Sequence, residues 1–367
     1  MSGLYDDGKR IPLLEHSVDR RSARQAGNDK LRSYATWLLG VFSVLMLLSG
    51  SNQDEAAWWT AAWYCSVAAI LSVSGRVGMI AWIRWTTRGS GYTRYLLHKG
   101  RRLAPVHLLS IAIVLLCHSF LALLVLADPM PWTTIGENIV PLMPSPGAWD
   151  VNPAWKILQI IVLGTVILPA IRVLSFYLGT ALSAGITWAL FGGMIFLTTD
   201  TLWAEHLALL SCFLVSSTAG TAASKTRIAR VSLMLACSVL TITGLVVGAA
   251  QSAAIGIWIA SLGMTSITIA LGKPKANKSG IAIAMNYPVL VLHWPILGTT
   301  LALISQPNGD GALVATATGF VVLLAVSYVI GRYVECRVDA LSAKDGEQAH
   351  QSSRYDSEKS DFTSNPS

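Results

Sequence analysis

Ten apolar runs, set apart by short polar segments, fill the chain between Tyr34 and Val334. They cover roughly residues 34–50, 58–83, 104–126, 155–173, 176–197, 204–222, 231–249, 252–271, 281–304 and 312–334. A helix needs about 20 mostly apolar residues to cross the hydrocarbon of a bilayer, and most of the runs reach that length. Lipid offers no partner for an open strand edge, so such a run satisfies its backbone as a helix. The runs are uniformly apolar and do not alternate as the strands of a membrane barrel do. The sequence therefore predicts an all-α fold, a polytopic integral membrane bundle of about ten transmembrane helices. Only 13% of the 367 residues are charged, about half the share of a soluble domain. That leaves too few charges to cover a soluble surface and makes a soluble enzyme an unsuitable reading.

The cations are sorted. Lys9, Arg10, Arg20, Arg21, Arg24, Lys30 and Arg32 precede the first run, and Arg84, Arg88, Arg94, Lys99, Arg101 and Arg102 follow the second. Arg172 marks the turn after the fourth. Lys225, Arg227 and Arg230 follow the sixth, Lys273, Lys275 and Lys278 the eighth, and Arg332, Arg337, Lys344, Arg354 and Lys359 the tenth. In a ten-span chain all of these fall on one side. The opposite segments hold Asp54, Glu55, Asp128, Glu137, Asp150, Asp200, Glu205 and Asp310. Cations mark the cytoplasmic face, which predicts a multi-pass cell-membrane protein with both termini inside. The net charge of +7 reads as a topology signal and an attraction to membrane lipids, with no nucleic acid as partner. The expected divisions are a basic N-terminal segment (1–32), the membrane domain (33–337) and a disordered polar tail (338–367). The N-terminal segment has no apolar core of its own, so the first span is expected to act as an uncleaved anchor.

The five cysteines show no CxxC or metal spacing and read as reduced packing residues, with no metal site. Trp58, Trp59, Trp63, Trp132, Trp149, Trp155 and Trp203 cluster near the outer ends of spans, which reads as an interfacial aromatic belt. The outer segment from Ala127 to Ala154 is long and rich in proline, large enough to shape an extracytoplasmic substrate. Ionisable groups at membrane depth are functional candidates. Arg76 lies inside the second run, where it either snorkels or holds an anionic ligand. Lys156, near an outer interface, is expected to snorkel. His107 and His118 share a face of the third run, and His293 lies well inside the ninth.

Several segments are similar to motifs of one family. Asp29-Lys30-Leu31-Arg32 enters the first run like D-G-L-R. Leu71-Ser72-Val73-Ser74-Gly75 resembles V-L-S-G-F, and Arg101-Arg102-Leu103-Ala104-Pro105 resembles R-R-x-x-P. Tyr287-Pro288-Val289-Leu290-Val291-Leu292-His293-Trp294-Pro295 resembles Y-P-x-Y-L-x-H-W-P, and Tyr333-Val334-Glu335 a closing Y-x-x-E-x-P without its proline. In order and spacing, over about residues 29–337, the chain resembles the membrane-bound acyltransferase-3 family, whose members O-acylate envelope glycans, lipids or antibiotics. The resemblance implies acyl-CoA as a cytoplasmic donor substrate, no bound cofactor, and an envelope glycan or glycolipid hydroxyl as acceptor. It also implies Arg32 and the position eleven residues on as a catalytic pair, but that position is Ser43 and not histidine. The family's W-x-L-x-x-E is here Trp155-Lys156-Ile157-Leu158-Gln159-Ile160, without the acid, and Arg76 stands where the family has an aromatic residue.

Acyl transfer to a hydroxyl needs a base, worth about 10²–10⁴-fold. A serine supplies none, although it can be a nucleophile beside one. The candidate catalytic residues are therefore Arg32, Ser43, His118 and His293, with Arg76, Arg101, Arg102 and Ser74 toward the donor. Two readings follow. One is an envelope O-acyltransferase with a relocated base. The other is a non-catalytic relative that serves as a scaffold and holds a lipid or a membrane protein partner. A transporter is the weaker third, because few charges are buried at mid-membrane and no inverted repeat is visible.

Overall fold

A computed structural model describes residues 31, 34–36, 38, 41, 42, 45, 53–87, 91–124, 154–220, 222, 224, 226–271, 281–304, 311 and 314–333, without the side chains of 53–56, 102, 154 and 281–287. Among the described residues there is no strand. The helices are α1 (Gln53–Thr87), α2 (Tyr92–Leu123), α3 (Ala154–Leu178), α4 (Thr180–Leu197), α5 (Thr201–Ala219), α6 (Arg227–Ala250), α7 (Ala253–Ala270), α8 (Ile281–Ile304) and α9 (Val314–Tyr333). Eight of them, α1 to α7 and α9, are long and apolar enough to cross a membrane. Of the first predicted run only scattered helical positions are described; the other runs each coincide with a helix.

Local chemistry sets the helix ends. The Asp200 carboxylate accepts from the amides of Leu202 and Trp203 at 2.8 and 3.4 Å, which starts α5 three residues before its apolar run. The Thr226 hydroxyl accepts from the Ala229 amide at 3.1 Å and starts α6. The turn expected at Arg172 lies further on. α3 runs through it to Leu178, and the chain reverses at Gly179, whose φ of 75° suits glycine alone. Arg172 is instead an exposed residue of the penultimate turns of α3.

α5 is the central helix. It packs against α1, α3, α4 and α7, and its residues from Ala208 to Ala219 are all buried. Apolar residues of α1 (Trp63, Val67, Leu71), α3 (Ile157, Leu168), α5 (Leu209, Phe213) and α7 (Ile257, Met264) form one core. A second cluster joins Val106 of α2, Val291 and Ile296 of α8, and Leu323 and Ile330 of α9. Lipid is as apolar as leucine, so close backbone approach holds such helices together. A Cβ on Gly75 of α1 would lie 2.0 Å from the Phe213 carbonyl oxygen of α5. The seam between α6 and α7 is as tight: a Cβ on Gly244 would sit 2.6 Å from the Gly256 oxygen, and one on Gly256 would sit 2.6 Å from the Cα of Gly248. Outward, α4 and α6 expose Phe196, Leu197, Ile228, Val231 and Leu235, surfaces that suit lipid.

α1, α3, α5 and α7 begin, and α4 and α6 finish, at one end of the bundle. Asp200 and Glu205 lie there, so we call it the acidic end. The opposite, basic end carries Arg84, Arg94, Lys99, Arg101, Arg227 and Arg230. The tryptophans expected in a belt divide. Trp58 and Trp203 are half exposed, but Trp63 and Trp155 are core residues. The Trp155 indole N–H donates to the Ser110 hydroxyl of α2 at 3.0 Å, so its polar atom is satisfied without reaching an interface. The remaining belt positions, apart from Trp59 on α1, lie outside the described residues.

Candidate functional site

Most of the polar side chains that meet across helices gather at the acidic end; Ser216 of α5 and Thr265 of α7 pair nearer the other end, at 2.7 Å. α3 contributes Lys156 and Gln159, three residues apart and so on one helix face. α5 contributes Glu205 and His206, and α1 contributes Tyr64. The Lys156 ammonium lies 3.1 Å from Glu205 Oε2, and the Tyr64 hydroxyl donates to the same oxygen at 3.0 Å. The Lys156 side chain is 2% exposed and that of Glu205 is 23% exposed. Lys156 therefore does not snorkel: a carboxylate on the neighbouring helix meets its charge inside the protein. A buried ammonium without that partner would carry a desolvation cost of several kcal/mol.

His206 is buried beside this pair. Its Nδ1 lies 3.0 Å from the Leu202 carbonyl oxygen, one turn back, and Nε2 lies 3.5 Å from Gln159 Oε1. With Nδ1 donating to Leu202, a second ring proton or a half turn of the Gln159 amide makes the latter contact a hydrogen bond. The Gln159 amide nitrogen has no hydrogen-bond partner of its own. Glu205 also lines a recess of about 370 Å³, walled by Ile195 and Phe196 of α4, the connection Thr198–Thr201, Ala204, Gln251, Ser252 and the first residues of α7. This volume is in the range of small-molecule sites.

The residues singled out from sequence are placed elsewhere. Arg32 and Ser43 lie outside the described residues, as does the side chain of Arg102. Arg101 is exposed on α2 at the basic end, and Ser74 is half-buried on α1. Arg76 is fully buried. Its Nε donates to the Gly220 carbonyl at 3.1 Å, and its two terminal nitrogens donate to the carbonyls of Thr268 and Ala222. The guanidinium thus closes the basic ends of α5 and α7, where helix carbonyls lack partners and the dipole is negative. His118 is half-buried on α2, and its Nδ1 makes no hydrogen bond. His293 is fully buried on the stretch of α8 whose Val291 and Ile296 pack on α2 and α9. Its Nδ1 meets the Leu290 carbonyl at 2.7 Å, and Nε2 has no partner. Neither His118 nor His293 hydrogen-bonds to Lys156, Glu205 or Arg76. No group of three or more metal-ligating side chains occurs among the described residues.

Sequence reasoning passed over Glu205, Tyr64 and Gln159. A signal was present: Lys156 and Glu205 both stand one residue inside predicted spans, at the same end, with opposite charge. No protein-family model, curated protein or solved structure matches the chain.

Proposed function

We propose that the chain is a ten-span O-acyltransferase-like protein of the cell membrane, with both termini in the cytoplasm. It moves an acyl group from a cytoplasmic acyl thioester, acyl-CoA, to a hydroxyl of an envelope glycan or glycolipid. The ordered motifs from Arg32 to Glu335 support this reading, as does the sorting of cations to one end of the bundle. The observation that carries it is the recess at the acidic end with Glu205 in its wall. In this orientation that end faces the envelope, where an acceptor is met, and acylation of a hydroxyl needs a proton-accepting group at that place. The test is reconstitution of the full chain in vesicles with radiolabelled acetyl-CoA or succinyl-CoA and extracted envelope material. Label is expected in the glycan or glycolipid fraction. Absence of turnover with every extract and both donors refutes the reading.

A second reading, a non-catalytic acyltransferase-like scaffold, is favoured by Arg76. The one cation deep in the second span is fully buried, with three N–H groups committed to backbone carbonyls. That reading expects a stoichiometric membrane protein partner on purification and no label transfer.

A further inference from the structure

We infer that Glu205 is the proton acceptor for the incoming hydroxyl, with Lys156 and Tyr64 as its positioning residues. The inference rests on the acyl-transfer reading and supplies the base that the sequence lacks at Ser43 and Ile160. A general base must reach the acceptor, keep a lone pair open and be held still. Glu205 meets all three conditions. It lines the recess and is partly exposed to it. Its Oε2 is fixed from two other helices, by Lys156 of α3 and Tyr64 of α1. Its Oε1 has no hydrogen-bond partner among the described residues.

Asp200 also lines the recess, but its carboxylate is committed to capping α5, with Oδ1 accepting from the Leu202 and Trp203 amides at 2.8 and 3.4 Å. The groups away from the recess fail on other grounds. His206 does not line the recess, and its ring is taken up by Leu202 and Gln159. Lys156 is a sealed cation. His293 is closed into the apolar cluster of α2, α8 and α9.

The step balances as follows. The acceptor hydroxyl proton passes to Glu205 Oε1, and the acceptor oxygen forms a bond to the acyl carbonyl carbon. The acyl-CoA thioester must reach this end from the cytoplasmic side; the bond from its acyl carbon to the CoA sulfur breaks, and the electron pair leaves with the sulfur. Glu205 then returns the proton to the leaving thiolate. Lys156 favours the return, because its ammonium, 3.1 Å from Oε2, holds the carboxylate of Glu205 more strongly than it holds the neutral acid. The carboxylate is restored and the cycle closes without another reactant.

The experiment uses the full chain in vesicles, with labelled acetyl-CoA and envelope extract. Glu205→Gln is expected to lower the initial rate by about 10²–10⁴-fold. Glu205→Ala is expected to recover activity when formate is added, because a small carboxylate can occupy the vacated position. Tyr64→Phe is expected to lower kcat, leave the KM for acetyl-CoA unchanged, and show no formate response. Lys156→Met/Glu205→Gln removes both charges together, and it is expected to elute as a single monodisperse species while remaining inactive. A Glu205→Gln rate within threefold of the unmodified protein, or a Glu205→Ala rate that formate does not raise, overturns the assignment. Failure of the unmodified protein to transfer label overturns the acyl-transfer reading instead, and the role of Glu205 falls with it.

Discussion

Trp188 of α4 and Trp258 of α7 lie ring on ring, with centroids 4.0 Å apart and planes 11° from parallel. Each donates its indole N–H to the other's backbone carbonyl oxygen, at 3.0 and 2.9 Å. Gly192 leaves the room: a Cβ there would stand 2.4 Å from the Trp258 ring. Trp258→Phe keeps an aromatic face but removes the indole N–H that the Trp188 carbonyl accepts, and should destabilise the protein by about 1 kcal/mol. Gly192→Ala should destabilise it as well, but not in a Trp258→Ala background, where the methyl has space. A double-mutant cycle by unfolding in mixed micelles checks the coupling.

Arg76 serves three carbonyls from one planar fork, and lysine cannot reproduce that geometry. Arg76→Lys should keep the charge yet lower stability by about 1–3 kcal/mol, and Arg76→Met by more. Thermal unfolding in detergent measures the effect. If Arg76 instead bound donor phosphates, Arg76→Met would raise the KM for acetyl-CoA with stability unchanged.

The Lys156–Glu205 pair should show the asymmetry of buried charges. Glu205→Gln alone leaves the ammonium sealed and should cost about 1–3 kcal/mol, reduced because Glu205 is partly exposed. Lys156→Met/Glu205→Gln removes both charges and should lie closer to the unmodified protein than the single change does. Chemical denaturation of the three proteins side by side decides this.

Gly75 and Gly100 should respond in opposite directions to the same added methyl. At Gly75 the new carbon meets the Phe213 carbonyl, so α1 and α5 must separate and unfolding midpoints should drop sharply. At Gly100, within α2, nothing lies within 4 Å, and alanine should stabilise the helix by about 0.5–1 kcal/mol. Circular dichroism melts of the two variants test the contrast.

The helices were legible because a bilayer leaves an apolar run one way to satisfy its backbone. Residues 204–222 and 281–304 declared themselves by composition alone. What lay hidden depends on which helices become neighbours. Lys156 and Glu205 are 49 positions apart, so a cation bound for a partner reads like one that snorkels. Arg76 was equally opaque, since its acceptors are backbone carbonyls common to every residue type. Trp155 looked interfacial from its place at a span end, and only Ile111 and Val114 of another helix, with the Ser110 hydroxyl, make it a core residue. The break after α3 was misplaced by seven residues because Arg172 looked like a loop cation, while Gly179 gave no compositional signal among its apolar neighbours.

The glycines where α6 meets α7 also limit how a chain of this kind can vary. At Gly244 and Gly256 the smallest change open to any codon adds a carbon where another backbone already stands. Drift at these positions has no gentle first step, and a replacement survives only if the facing helix shifts in the same variant.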